Sequence, residues 1–282
     1  MFERMSHGWR LTRESWQVLK LDKSLLVFPL ASSVACLLVL ISFAIPLWNS
    51  PLGQAWLEQG DVLEDPLAYV VLFLFYFVNY FVVIFFNTAL ISCAILRFKG
   101  MQPTVGQGFQ LAWARLPQIL GWALVSATIG LLLRLIESRS ERAGQIVAGL
   151  LGMAWSATTY FVVPVIVVEK CGPVTAAQRS LAILRRTWGE ALTANFGIGM
   201  IVLLASLPGI VSLILGGMAW AAGLWLLGVL GLAAGLAWFL IVSLISAAMN
   251  AIIVGALYLY AAEGQVPQHF DGKLLADAFA AS

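Results

Sequence analysis

Few side chains in this 282-residue sequence could carry out catalysis. The two histidines, His7 and His269, lie near opposite ends of the chain, and no HExxH, GxSxG or phosphate-loop pattern is present. An intramembrane protease would need a Ser/His or Asp/Asp pair inside apolar segments, and the sequence has neither. We therefore expect a protein that is not an enzyme and that holds no metal and no cofactor.

The three cysteines, Cys36, Cys93 and Cys171, are scattered and form no CxxC pair. Two of them fall inside apolar runs. This spacing is typical neither of a disulfide set nor of a metal site, so we predict three free thiols.

Polar groups inside apolar segments are the remaining candidates for function. Ionisable residues at membrane depth usually mark transport paths. Arg134 is the only charged residue within the predicted spans, about one turn from a span end and close to Glu137. The amides at this depth are Asn79, Asn87, Asn195 and Asn250. Such amides hold helices together more often than they bind substrates, and a path lined by Asn87 and Asn250 is the alternative.

The composition is that of an integral membrane protein. Hydrophobic residues make up 61% of the chain and charged residues only 11%, whereas about a quarter of a soluble domain is charged. The mean hydropathy is +0.92. A chain this apolar needs lipid as part of its solvent. The net charge of +2 is too small to indicate a nucleic-acid partner.

Segments of about 20 apolar residues can cross a bilayer as helices. Six such segments predict an all-α, polytopic transmembrane bundle: Leu25–Trp48, Leu67–Leu96, Pro117–Ile136, Ala143–Val168, Ala194–Leu215 and a last one within Met218–Ala262. The last stretch has no charged residue and is far longer than one span needs. We prefer a turn near Gly216–Gly223 before one long helix, and seven spans is the alternative.

Lysines and arginines favour a cytoplasmic N-terminus. The N-terminal segment carries five of these bases, the connection after the second span three, and the connection after the fourth span four. The opposite side has only Arg134, Arg139 and Arg142, and its first loop, Asn49–Pro66, has four acids and no base. With six spans, both termini are predicted in the cytoplasm, in a multi-pass protein of the cell membrane.

An amphipathic helix is predicted at the N-terminus. Trp9 and Trp16 lie on its apolar stripe, whereas Arg4, Arg10 and Arg13 lie mostly off it. Such a helix lies in the membrane interface, where anionic headgroups attract its bases. We expect one membrane domain over residues 1–282: the amphipathic helix (1–24), the transmembrane bundle (25–262) and a cytoplasmic tail (263–282).

Two further segments resemble each other. Gln102–Leu116 and Gly172–Trp188 share Pro, Leu, Ala and Arg at a constant shift of 70 residues. Each comes after a span and has its proline near the predicted helix start, where a missing N–H costs nothing. This pattern predicts a weak internal repeat of an interfacial helix and a two-span hairpin, with units 1–99, 100–170 and 171–262.

Small residues at four-residue steps predict close helix packing within the membrane. The seams are Gly144, Ala148, Gly152 and Ser156 in the fourth span, and Gly231 and Gly235 in the sixth. We expect these seams to pack within the monomer, and a homo-oligomer contact is the alternative. Pro164 and Pro208 fall inside the fourth and fifth spans and predict kinks.

The two ends of the chain carry a family resemblance. The opening Phe2-Glu3-Arg4, Gly8-Trp9, Ser15-Trp16 and Phe28-Pro29-Leu30, and the ending Ala256-Leu257-Tyr258, Val266-Pro267 and Phe270-Asp271, are similar to domain-of-unknown-function family 6159. A looser interior match includes Ala177, Arg179 and Ser180. The resemblance implies a bacterial or archaeal six-span protein with interfacial elements. It implies no activity.

Two functions from different classes are compatible with these features. The first is a non-enzymatic protein that interacts with lipid or acts as a scaffold, with membrane lipids, and anionic headgroups in particular, as partners. The second is a channel or transporter with a path lined by intramembrane Asn, Thr and Ser side chains. No nucleic-acid partner is expected from either.

Overall fold

The computed structural model describes residues 2–51, 53–54, 66–138, 143–268 and 270, with the backbone alone at 2–8, 138, 143 and 186–198. The regular structure of these residues is entirely helical. After α1, a short 3-10 helix covers Lys23–Leu26. The α-helices are α1 (Phe2–Leu21), α2 (Val27–Asn49), α3 (Pro66–Phe98), α4 (Val105–Trp113), α5 (Leu116–Ser138), α6 (Ala143–Thr158), α7 (Val162–Glu169), α8 (Pro173–Ala221) and α9 (Trp225–Glu263).

Six segments of the described chain are long and apolar enough to cross a membrane: Lys23–Asn49, Pro66–Phe98, Leu116–Glu137, Gly144–Glu169, Gly199–Ala221 and Trp225–Glu263. Each predicted span falls on one of them. The prediction of an all-α, polytopic membrane bundle is therefore confirmed.

The turn before the last helix lies at the end of the predicted range Gly216–Gly223. Gly216 belongs to α8, and the chain reverses only at Ala222–Leu224, where Gly223 has a φ of +81°. A left-handed backbone suits glycine because it has no Cβ. Gly216 instead serves helix packing, since a Cβ there would lie 2.7 Å from the Leu232 nitrogen of α9. After the turn, α9 is one continuous helix of 39 residues.

Helix α9 is long because only part of it faces lipid. Large apolar side chains such as Leu226, Leu230 and Leu236 are exposed in its first two-thirds, whereas every residue of 251–259 is buried in protein. The uncharged run therefore combines a lipid-facing segment with a protein-covered extension. Hydropathy alone cannot separate these two environments, because both accept the same side chains.

The register between α8 and α9 marks where the lipid-facing part ends. The Trp238 indole donates a hydrogen bond to the Ala205 carbonyl (2.7 Å), and the Ser212 hydroxyl donates one to the Gly231 carbonyl (2.8 Å). Continuing this antiparallel register sets Glu190, the last charged residue of α8, opposite about position 253. This level falls within the buried part of α9, residues 251–259.

The chain forms two compact units, and the first comprises residues 1–26, 98–100 and 187–282. In this unit α1 packs on α9. The Gln268 backbone amide donates a hydrogen bond to the Phe98 carbonyl (3.2 Å), and Lys99 pairs with Glu263 (3.9 Å). Three segments that the charge pattern assigns to one side of the membrane thus lie together: the N-terminal helix, the end of α3 and the end of α9.

The second unit comprises residues 27–97 and 101–186. Helix α4 begins with a capping box between Thr104 and Gln107, and its Phe109 ring packs edge-on against Phe28 at 5.4 Å. Helix α4 is therefore held by aromatic packing. In the α5–α6 hairpin, too, aromatic rings are in contact: those of Trp122 and Trp155 stack at 5.4 Å.

The fourth span is broken, which goes beyond the predicted kink. Helix α6 ends at Thr158 and α7 starts at Val162, so Pro164 becomes the third residue of a new helix, where no intrahelical N–H bond is needed. The buried hydroxyl of Ser180 forms hydrogen bonds with two backbone groups at the break. It accepts a hydrogen bond from the Phe161 amide (3.0 Å) and donates one to the Thr158 carbonyl (2.6 Å).

Removing the Ser180 hydroxyl tests whether its hydrogen bonds stabilise the break between α6 and α7. We expect Ser180→Ala to lower the free energy of unfolding by about 2–3 kcal/mol, because a buried N–H and a buried carbonyl each lose a partner. Equilibrium unfolding in mixed micelles measures the change. Ser33→Ala is the control, since Ser33 bonds only to a carbonyl of its own helix turn. Equal stability of the two variants would contradict the assigned role.

The glycine contact between α8 and α9 gives a second test. A Cβ at Gly231 would lie 2.7 Å from Gly216 Cα, whereas one at Gly217 would meet nothing within 4 Å. We expect Gly231→Ala to destabilise the protein by about 1–3 kcal/mol through overpacking. Gly217→Ala should be neutral or slightly stabilising because alanine favours helix. The same unfolding assay applies, and a neutral Gly231→Ala would refute the close packing.

Candidate functional site

Helix α1 is packed on protein along one face. Leu11, Thr12, Ser15, Val18 and Leu19 are all buried, and they have the spacing of one helix side. The Ser15 hydroxyl donates to the Leu11 carbonyl at 2.9 Å, so it is satisfied inside the contact. This face meets α9. The predicted amphipathic helix therefore exists, but the face that it buries in protein is rotated from the tryptophan stripe.

The tryptophan stripe borders a groove in the first compact unit. The cavity has a volume of about 620 Å³, within the range of about 300–1,000 Å³ that small-molecule sites occupy. Helix α8 contributes Ile201, Val202 and Ala205, and α9 contributes six side chains from Trp238 to Met249. Helix α1 contributes Trp9, Thr12, Arg13 and Trp16. The lining is largely apolar.

The groove runs lengthwise along α9. Trp238 and Met249 mark its ends on that helix, and eleven residues of α-helix correspond to about 16 Å. Met249 lies just before the buried part of α9, which begins at position 251. Trp238 lies about 20 Å from Trp225, the first residue of α9. The groove therefore lies along the middle third of α9.

Cations and aromatic rings alternate along the edge of α1 beside the groove. Trp9, Arg13, Trp16 and Lys20 succeed one another at steps of four, three and four residues, which keeps them on one helix side. Trp9 is 54% exposed, Arg13 is exposed, and the Lys20 ammonium lies 5.4 Å from the Trp16 ring centre. Among the described residues no carboxylate forms an ion pair with Arg13. This edge presents positive charge next to an apolar cavity.

The other predicted interface residues lie away from this edge or outside the described side chains. Arg10 is exposed on the outer side of α1. The side chain of Arg4 is not among those described. Of the predicted interface set, the groove is lined by Trp9, Arg13 and Trp16.

The predicted intramembrane amides do not line the groove. Asn79 is half-buried and donates to the Phe75 carbonyl of its own helix at 3.0 Å. Asn87 is half-buried and Asn250 is exposed. Asn250 lies within the candidate membrane-spanning helix Trp225–Glu263. The side chain of Asn195 lies outside those described.

Arg134 and the predicted packing seams have structural partners. Arg134 pairs with Glu137 at 2.8 Å, and both side chains are partly exposed. In the α6 seam, Gly144 is buried, Ala148 and Gly152 are half-buried, and Ser156 is exposed. A Cβ at Gly152 would touch the Leu133 side chain of α5 at 4.0 Å, and one at Gly235 would lie 2.7 Å from Leu213.

The cysteines are free thiols. Cys171 lies between α7 and α8, outside the spans. Burial raises the pKa of its thiol, and the nearby Glu169 carboxylate raises this pKa further, so the neutral thiol predominates at pH 7. Among the described residues, no group of three or more His, Cys, Asp and Glu side chains could hold a metal ion.

None of the groove residues on α8 and α9 was singled out by sequence reasoning. Ala205 and Trp238 come from different helices, and only the register of α8 on α9 brings them together. A tryptophan far from both ends of a long apolar helix was the available signal, because tryptophan N–H groups at that depth need a partner.

Comparison with known proteins gives one match. No curated protein and no solved structure is similar enough to be matched. The model of a family of unknown function, DUF6159, matches residues 66–268, a range that begins at α3 and leaves α1 outside. Because this match covers more than half of the chain, the protein is a member of the family of unknown function DUF6159.

Proposed function

We propose that this multi-pass membrane protein is non-enzymatic and binds a single anionic lipid of the cytoplasmic leaflet. The acyl chain lies in the groove between α1, α8 and α9, and the headgroup lies beside Arg13. The observation that supports this most directly is the groove itself, an apolar cavity of about 620 Å³ with tryptophans and an arginine along one edge.

The length of the groove suits a lipid tail. The hydrocarbon core of a bilayer is about 30 Å thick, so one leaflet supplies about 15 Å. The distance along α9 from Met249 to Trp238 is about 16 Å. A tail that enters beside α1 would end near the bilayer midplane, as it does in the surrounding leaflet.

The charge at the rim favours an anionic headgroup. In lipid the apolar groove offers little net gain to an acyl chain, because the chain leaves an equally apolar solvent. Selectivity must then come from the rim, where Arg13 is exposed beside Trp9 and Trp16. Arginine binds phosphate oxygens through two parallel N–H groups, and tryptophan prefers the headgroup level.

We also propose that the protein lies in the cell membrane with both termini in the cytoplasm. The excess of lysine and arginine in the N-terminal segment and in the connections after the second and fourth spans supports this orientation. The grouping of α1, Lys99 and Glu263 within one unit is consistent with a common side for these segments.

Replacing Arg13, the arginine at the edge of the groove, tests whether it binds the headgroup. Nanodiscs with equal parts phosphatidylglycerol and phosphatidylcholine supply the lipids, and native mass spectrometry measures those retained by the protein. We expect the wild type to prefer phosphatidylglycerol. Arg13→Gln should lower this preference about fivefold, since one interfacial arginine contributes about 1 kcal/mol. Added salt should weaken the wild-type preference in the same direction.

Arg134→Gln is the matched control, because Arg134 is an exposed arginine that already has a carboxylate partner. This variant should retain the wild-type preference. Equal preference in wild type and Arg13→Gln, or a loss in Arg134→Gln as large as that in Arg13→Gln, would contradict the proposed site.

The orientation is tested with single cysteines at Ala55, Ser140 and Gln265, in a protein whose native cysteines are replaced. In intact cells we expect an impermeant maleimide to label positions 55 and 140 directly. Position 265 should react only after permeabilisation. Reversed labelling would overturn the orientation, and different labelling of 55 and 140 would overturn the span count between them.

A further inference from the structure

We propose that Trp238 is the floor of the groove and limits the length of the acyl chain that fits. This inference rests on the proposed lipid-binding function and adds the residue that determines chain-length specificity. Three observations carry it: how the indole is held, what lies beyond it, and the length of the groove that it ends.

The indole of Trp238 is fixed by two contacts on α8. Its N–H donates a hydrogen bond of 2.7 Å to the Ala205 carbonyl. Its ring lies against Gly209, since a Cβ added there would be 2.9 Å from Trp238 Cδ1. The side chain of Trp238 is 41% exposed, so these two contacts, more than burial, hold the ring at the end of the groove.

The two helices close together beyond Trp238. Gly235 approaches Leu213, Ser212 bonds to the Gly231 carbonyl, and Gly231 lies against Gly216. Glycines at these steps allow the backbones to approach so closely that no space for a chain is left between them. On the side toward α1 the lining residues are Ile241, Val242 and Ile245, which leave the groove open.

The length of the groove corresponds to the hydrocarbon thickness of one leaflet. The groove is about 16 Å long, and a leaflet contributes about 15 Å of hydrocarbon. A chain of leaflet length fills the groove up to the indole. A longer chain must bend out beside Trp238, which loses contacts and strains the packing.

Chain-length competition tests this floor. Nanodiscs containing equimolar phosphatidylglycerols with short, medium and long saturated chains supply the probes. Native mass spectrometry gives the ratio of each bound species to its share in the disc. We expect the wild type to bind chains up to a cut-off and to discriminate about fivefold against longer ones, the low end of an overpacking penalty. Trp238→Ala should move the cut-off to longer chains.

Three further variants distinguish a role of Trp238 as the floor from a general folding defect. Trp238→Phe keeps a smaller ring without the N–H and should shift the cut-off less than Trp238→Ala does, because only one of the two contacts that hold the ring is lost. Ile241→Trp adds a ring at a groove position that is 51% exposed, so it should move the cut-off to shorter chains. Trp225→Ala removes an exposed tryptophan of the same helix away from the groove and should change nothing.

The outcomes distinguish this proposal from the function on which it rests. If the wild type retains no lipid with a preference that depends on Arg13, the proposed function fails, and the floor fails with it. If that preference is present but Trp238→Ala and Ile241→Trp leave the cut-off unchanged, only the floor is overturned. Shifts of the chain-length cut-off in opposite directions in these two variants would establish Trp238 as the floor.

Discussion

The packing of α1 on the last third of α9 is the contact on which the rest of the first unit depends. It helps to cover residues 251–259 of α9, all nine of which are buried. At about 25 cal/mol per Å² of apolar area, this burial is a large driving force wherever water is the competing solvent. The same contact sets the rotation of α1, and thereby brings Trp9, Arg13 and Trp16 to the groove.

Within lipid a different force holds the helices together. Apolar side chains gain little by leaving lipid for protein, so α8 and α9 associate through backbone approach at glycines and through hydrogen bonds across the pair. Gly216 and Gly231 close the hairpin near its turn, and Trp238 bridges it farther in. The groove begins at Trp238, beyond the contact of Gly216 with Gly231, and continues to Met249.

The sequence predicted the helical class, the six spans and the amphipathic N-terminus, because lipid imposes length and hydropathy on every span. It could not divide α9 into lipid-facing and protein-covered parts, since Leu226 and Leu257 have the same chemistry in different surroundings. It also could not predict which face of α1 packs on protein, because Trp9 is apolar and yet 54% exposed. The Ser180 bridge and the pairing of Ala205 with Trp238 depend on tertiary register, which no local pattern encodes.

The order of the groove's components along the chain has a consequence for biosynthesis. Helix α1 precedes its partner α9 by more than 200 residues along the chain. Helix α1 is therefore synthesised well before the surface on which it packs, and its contact face has no partner until α9 follows. The site can form only after α9 has been made, in the presence of the lipids that we propose it binds.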